Sequence, residues 1–321
     1  MRAFSLQRPA SVDEAARLLA AEPGARLLAG GTDLVPNLRR GLEAPALLID
    51  LGRIAGFDAV VIGADGLRLG AGVKLAALAG DERIAARYPA LAAAARAIAG
   101  PAHRSAATVG GNLCLDTRCV FYNQSPWWRA ANGFCLKRSG TVCHVAPQGG
   151  RCHAAFAGDL AAPLLAYGAE VEAVSVRGAR RLPLAALYRD DGAAHLTLAR
   201  DEVLTQVVVP APATASGYRK ARVRGAIDFP LAGVAIALAC DGGVLAHLRV
   251  ALTGTNSRPL VLEGTEALLG KPVDDAAAAA LAKLVQKQAS PMRTTVTPSN
   301  YRRLVAAALA ARLLRELAGA A

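Results

Sequence analysis

Four cysteines cluster in the middle of the chain, Cys119, Cys135, Cys143 and Cys152, spaced by 16, 8 and 9 residues. Glycines at 133, 140, 149 and 150 punctuate the same stretch and let it fold back on itself, so that four thiolates can converge. Such a set suits an iron–sulfur cluster or a structural zinc. Structural zinc usually sits on short C-x-x-C knuckles, and none occurs here, which favours a cluster. Four unliganded, reduced thiols are the plainer alternative. Cys114 and Cys240 read as small packed residues, although Cys114 directly follows a glycine loop and is placed to approach a cofactor.

Paired glycines carry the second chemistry. In Leu27-Leu28-Ala29-Gly30-Gly31-Thr32-Asp33-Leu34 an apolar strand runs into two residues without side chains. Their backbone N–H groups can cradle a pyrophosphate, and Thr32 adds a hydroxyl. Taken alone, the segment is most simply a tight turn, and it lacks the G-x-G-x-x-G spacing of a Rossmann loop. A second pair lies in Thr108-Val109-Gly110-Gly111-Asn112-Leu113, and two such loops in one chain make a nucleotide diphosphate more credible. Gly264 to Lys271 superficially resembles a P-loop but has the wrong glycine spacing and Pro272 in place of Ser or Thr. Asp159 opens an apolar run, where an Asp is ordinarily a helix cap. Lys220, within a strand-like segment, is by default a solvated charge.

The elements that must position these residues can be read from periodicity. A helix is expected over Ser11 to Ala21, with Ser11 and Glu14 forming a capping box, then strands around Ala25 to Ala29 and Ala46 to Leu51. Residues 59 to 73 suit a meander of short strands, followed by an Ala-rich helix from Leu91 to Ile98. Between Asp116 and Arg151 the Ala-rich texture gives way to Tyr122, Asn123, Gln124, Trp127, Trp128 and Lys137, which marks an inserted loop. Strands resume at Glu170 to Val176 and Glu202 to Val209, and Pro210-Ala211-Pro212 makes a boundary. Beyond it, strands at Gly233 to Ala239 and Val244 to Leu252 precede helices at Asp274 to Gln288 and Ser299 to Leu317. That order indicates a separate α+β unit.

With 321 residues the chain exceeds one core, since single cores stop growing at roughly 250 to 300 residues. The net charge of +12 raises nucleic acid or a membrane surface. The arginines are scattered in pairs such as Arg39-Arg40 and Arg180-Arg181, however, with no basic stripe interleaved with aromatics, so no nucleic-acid partner is expected. The longest apolar run, Phe229 to Cys240, is shorter than the ~20 residues that span a bilayer, so no membrane partner is expected. Asp13, Glu14 and Arg17 interrupt the first twenty residues where an export signal needs an apolar stretch, and a cytoplasmic location is expected. Clustered cysteines in that compartment point to metal or catalysis rather than disulfides. No acid–base or nucleophile constellation is evident, so no catalytic residue is assigned.

Along essentially its whole length the chain resembles the flavin-binding medium subunits of the xanthine dehydrogenase and carbon monoxide dehydrogenase family. Phe4, Arg8-Pro9-Ala10-Ser11 and Glu14-Ala15 resemble that family's opening, and Ala29 to Leu34 and Thr108 to Asn112 its two FAD pyrophosphate loops. Gly158-Asp159-Leu160-Ala161-Ala162-Pro163 resembles the segment whose aspartate holds the ribityl chain. The resemblance implies an α+β fold: a two-part FAD-binding domain over 1–213, an iron–sulfur loop inserted at about 116–155, and a C-terminal domain of the CO dehydrogenase flavoprotein type over 214–321. It implies FAD contacts from Leu28, Ala29, Gly30, Gly31, Thr32, Asp33 and Leu34, and from Ala99, Thr108, Gly111 and Asn112. It further implies Asp159 on the ribityl chain, Lys220 near the flavin ring and Leu204 packed on it.

The inserted run, Arg118-Cys119, Tyr122-Asn123-Gln124-Ser125, Trp128-Arg129, Cys135-Leu136-Lys137 and Cys143-His144-Val145, resembles one branch of that family, the beta subunits of 4-hydroxybenzoyl-CoA reductases. This branch implies a 4Fe-4S cluster on Cys119, Cys135, Cys143 and Cys152. It also implies a large molybdopterin subunit, a small 2Fe-2S subunit, a dimer of heterotrimers, and ferredoxin as electron donor for dehydroxylation of the substrate to benzoyl-CoA. A second relative, the flavin subunit of periplasmic aldehyde oxidoreductases, has a cluster loop of different spacing and no tyrosine-asparagine-glutamine run. The alternative that follows is an aromatic or aldehyde oxidoreductase in which electrons flow outward from substrate.

Overall fold

A computed structural model describes residues 1–212 and 215–319. The domain boundary expected at 213/214 lies outside the described residues. The chain forms three packed units. In the first, β1 (Ser5–Gln7), β2 (Arg26–Leu28) and β3 (Leu47–Asp50) make a parallel sheet in the order β1-β3-β2, with α1 (Val12–Ala21) and α2 (Leu34–Arg39) as crossovers. Ser11 Oγ accepts from Glu14 N at 3.2 Å, while Glu14 Oε2 reaches back to Ala10 N at 2.8 Å. The expected capping box is thus present, with its return bond displaced by one residue.

The second unit is a five-stranded antiparallel sheet in the order β4-β5-β8-β6-β7, built from β4 (Val60–Gly63), β5 (Gly66–Gly70), β6 (Glu170–Ser175), β7 (Gly178–Pro183) and β8 (Val203–Pro210). Between β5 and β6 run five short helices: α3 (Leu75–Gly80), α4 (Glu82–Arg87), α5 (Pro89–Ala97), α6 (Pro101–Ala106) and α7 (Val109–Leu113). The cysteine loop follows, holding a single helix, α8 (Pro126–Ala131), and then α9 (Ala161–Ala166). The expected meander over 59 to 73 is one hairpin, and the expected helix at Leu91 starts two residues earlier at Pro89, the proline occupying the first helical turn where it loses no hydrogen bond.

In the third unit β9 (Ala215–Ala221), β10 (Ala232–Asp241), β11 (Val244–Thr253) and β12 (Leu260–Val261) form an antiparallel sheet, order β12-β11-β10-β9, covered by α10 (Asp275–Gln288) and α11 (Ser299–Ala318). Its second face is not solvated. Along β10, Val234, Ile236 and Leu238 enter the core under α10 and α11, while Ala235 and Ala237 enter the core of the second unit. This double burial accounts for the continuous apolar run, and the alanines let α5 and α9 approach the sheet closely. No helix among the described residues is long and apolar enough to cross a membrane.

Candidate functional site

The two glycine loops, about eighty residues apart in sequence, meet in space. A Cβ on Gly30 would overlap the Ala106 carbonyl and stand 2.8 Å from Ala107 Cα, so only glycine lets the first loop lie against the residues leading into the second. Gly31 adopts φ +70°, and from Leu27 to Val35 the chain is half-buried throughout. The N–H groups of Gly30, Gly31, Thr32 and Asp33 donate to no group among the described residues, which leaves a half-buried run of unpartnered backbone donors. In the second loop the roles divide. Thr108 is buried and caps α7, its Oγ1 accepting from Gly111 N at 3.1 Å. Gly110 packs on Ala71, and Asn112 is buried with its Oδ1 accepting from Leu160 N at 3.0 Å. Gly111 alone is exposed.

Asn112 connects this loop to Gly158 and Asp159. Asp159 is not a helix cap: α9 begins after Leu160 without a side-chain cap. Its carboxylate accepts from Tyr218 Oη at 2.6 Å and pairs with Lys220 Nζ at 3.0 Å, each charged side chain only 4% exposed. Lys220 Nζ also donates to Ala97 O at 3.1 Å, so the default reading of Lys220 as a solvated charge is overturned. Burial pushes the Asp159 carboxyl up, and Lys220 and Tyr218 pull against it. The third unit grips the same turn elsewhere: Thr253 Oγ1 donates to Gly158 O at 3.0 Å, and Phe156 and the chain at Gly254 to Asn256 exchange backbone hydrogen bonds. Ala99 lies two residues beyond the end of α5 with φ +45°, its carbonyl accepting from Ile227 N at 3.3 Å. Leu204 is buried in the second core on β8. Cys114 is held as a thiol, burial pushing it up to about 12.

The four clustered cysteines are all buried, at 5 to 9% exposure, reduced, and around one small cavity that Phe121, Tyr122 and His144 also line. Among the described residues no three His, Cys, Asp or Glu side chains are close enough to hold a single metal ion. One tetrahedral zinc holds its four sulfurs about 2.3 Å from the metal and roughly 3.8 Å apart. A four-iron cubane binds each thiolate at a different corner and accepts a wider spread. Burial pushes the Cys152 thiol up to about 11, opposed by the Ala154 N–H at 3.4 Å and the Lys137 ammonium. Lys137 is itself buried, bonded to Asp116 Oδ1 at 2.7 Å and to the Thr117 and Gly192 carbonyls, 4.8 Å from the Tyr122 ring centre.

An antiparallel bridge between Arg118 and Ala155 pinches the base of this loop, both N–H···O distances being 2.7 Å. Arg118 then reaches across to form an ion pair with Asp33 of the first glycine loop. The two candidate sites are therefore tied by one charged contact.

The sequence profile described as the FAD binding domain in molybdopterin dehydrogenase matches residues 2–212, and that of the CO dehydrogenase flavoprotein C-terminal domain matches residues 216–317. The chain belongs to the FAD-binding medium subunits of the molybdenum hydroxylase family. It is 33% identical to an aldehyde oxidoreductase FAD-binding subunit of Escherichia coli, over 84% of this chain and 87% of the relative. It is 30% identical to the carbon monoxide dehydrogenase medium chain of Afipia carboxidovorans, over 93% and 91%. Among solved structures, carbon monoxide dehydrogenase from Hydrogenophaga pseudoflava superposes with a TM-score of 0.81 at 27% identity, covering 99% of this chain and 98% of that one.

As a medium subunit, the protein binds FAD, and the run of unpartnered backbone donors from Gly30 to Asp33 fits a pyrophosphate. Two features of this medium subunit escaped the sequence reading. Tyr218 carried a readable signal, since it shares the inward face of β9 with Lys220 two residues on. The Asp33–Arg118 pair carried none, because 85 positions separate its members.

Proposed function

We propose that this medium subunit is an electron relay, binding FAD between the two glycine loops and a 4Fe-4S cluster on Cys119, Cys135, Cys143 and Cys152. The observation that carries the cluster is the convergence of four buried, reduced thiols, far apart in sequence, on one cavity. Leu28 to Leu34 would hold the pyrophosphate by backbone donors and exposed Gly111 would let it approach closely, with Thr108 capping α7 and Asn112 fixing the second loop to the Asp159 turn. Asp159 would face the ribityl chain, Ala99, Leu204 and Lys220 the flavin ring. When bound, the two groups supply one-electron transfer at the cluster and a switch between one and two electrons at the flavin. The chain's residues bind and orient them and keep water from the thiolates.

The loop from Arg118 to Cys152 supports a place in a 4-hydroxybenzoyl-CoA reductase. There a cytoplasmic ferredoxin supplies electrons that pass to a small 2Fe-2S subunit and a large molybdopterin subunit, in a dimer of heterotrimers. The 33% identical aldehyde oxidoreductase relative favours a second reading, in which electrons leave an aldehyde or aromatic substrate and flow outward. Anaerobic purification followed by iron, zinc and flavin analysis and low-temperature EPR tests the relay. The expected result is about four irons and one FAD, with a reducible signal. Cys135→Ser should remove the iron and keep most flavin; full retention of iron would sink the ligand assignment. Turnover of 4-hydroxybenzoyl-CoA against an aldehyde, in the assembled complex, separates the two readings.

A further inference from the structure

An open cleft of about 770 Å³ runs between the N-terminal unit and the cysteine loop, walled by Arg2, Arg39 and Arg40 on one side and by Ser125, Pro126 and Arg138 on the other. Its charge is lopsided. Glu43 is the one acidic residue in its wall, and it already faces Arg26 and Arg138, each at 3.4 Å. Arg40 is bonded to the Asn123 carbonyl, which leaves its charge uncompensated. Arg2 and Arg39 form no ion pair among the described residues and are exposed. Arg2, Arg39 and Arg40 thus line the cleft with no carboxylate paired to them among the described residues, which makes its field positive.

Beside the cleft stands Trp127, 78% exposed, directly after Pro126, which lies against Gly41. A tryptophan so placed presents a large apolar area to water, and Trp and Arg are the side chains that anchor protein interfaces. The next residue points inward: the Trp128 ring centre is 6.2 Å from Phe121, and Phe121 stacks on His144 at 5.4 Å. Phe121 and His144 line the cavity shared by the four cysteines. Packed aromatic side chains thus lead from this surface to the thiols. The base of the loop is held from the opposite direction, by Asp33 at Arg118, by Thr294 at Val120 and by Asp191 and Ser257 at Cys152.

We propose that this face docks a small acidic electron-carrier protein, its carboxylates meeting Arg2, Arg39 and Arg40 and its redox centre resting over Trp127 and Trp128. The inference rests on the reading of the four cysteines as cluster ligands. With a reduced carrier, one electron leaves the carrier and one is gained at the cysteine site; no bond forms or breaks. A free anion would need the arginines alone, whereas the exposed tryptophan beside them fits a protein surface with an acidic rim and an apolar centre.

The test uses the assembled complex and a reduced acidic ferredoxin as probe, with anaerobic stopped-flow measurement of reduction at several ionic strengths. The wild-type bimolecular rate should fall steeply with salt. The double variant R2E/R39E should slow it about ten-fold at low salt and flatten the salt dependence. Trp127→Ala should slow it several-fold with the salt slope intact, roughly the loss of one interface anchor. Iron, flavin and subunit content should be unchanged in both. An unchanged rate and slope in R2E/R39E overturns the proposal, as does release of a partner subunit on gel filtration, which would assign the face to assembly. A wild-type protein with flavin but no iron overturns the cluster reading and the docking with it; iron present with salt-insensitive reduction overturns the docking alone.

Discussion

Gly30 lets the two glycine loops touch through their backbones, whereas the cysteine loop meets its neighbours largely through charged side chains, Arg118 to Asp33, Arg138 to Glu43 and Arg151 to Asp190. The flavin side is braced by three units at once, with a buried Tyr218–Asp159–Lys220 network at the junction. The cysteine loop has one six-residue helix and a small cluster of its own around Leu42, Tyr122 and Ala154. Its internal core is small, and the proposed cluster would be what organises that loop. The flavin side is organised by the fold itself.

Changes at the flavin side should therefore cost global stability. Lys220→Met leaves the Asp159 carboxylate buried without its cation and should destabilise by about 3–5 kcal/mol, read as a lowered melting temperature with release of flavin. A shift within about 0.5 kcal/mol would show that the network is not needed.

Next in size is a pH effect on the cysteine side. His195 is buried, its ring tilted against Phe156 at 5.8 Å, and burial with the Lys137 charge holds it down at about 4. The unfolded chain takes up this proton near pH 6.5, the folded chain only near 4, so its contribution is complete above pH 6.5 and is lost as pH falls towards 4. The loss amounts to at most about 3 kcal/mol. His195→Gln should flatten the stability profile between pH 6.5 and 4 in denaturant titrations.

Gly30→Ala forces a methyl group into the Ala106 carbonyl. An expected cost of about 1–3 kcal/mol should come with weaker FAD retention while cysteine-bound iron stays, since the cysteine loop does not use this contact. Equal loss of both groups would show that the Asp33–Arg118 tie binds the two sites into one. The mildest change, Tyr218→Phe, removes one hydrogen bond to a charged carboxylate and should cost about 2 kcal/mol by chemical denaturation.

Much of the architecture was legible from local pattern. The helix over Val12–Ala21 announced itself by Ser11 and Glu14, and β10, β11 and the two helices of the third unit by apolar periodicity and length. The short helices α3, α4, α6 and α7 were not, because five- and six-residue helices carry too few turns for a periodic signal. Lys220 and Asp159 were identified as residues of interest, but their burial was invisible: a charged side chain in a strand reads as solvated until its partner, 61 positions away, is placed against it.

The sequence by itself determined the chemistry on offer: two glycine pairs able to bring bare backbone to an anion, and four cysteines with glycines between them. Residue type and spacing suffice for that, because they fix which donor atoms exist and how freely the chain bends around them. Only the tertiary structure decided that the glycine loops touch, that Gly111 rather than Thr108 or Asn112 is the open residue, and that Tyr218 and Lys220 close on Asp159. Those outcomes depend on contacts between distant segments, where the burial of one charge is tolerable solely because another segment delivers its counter-charge.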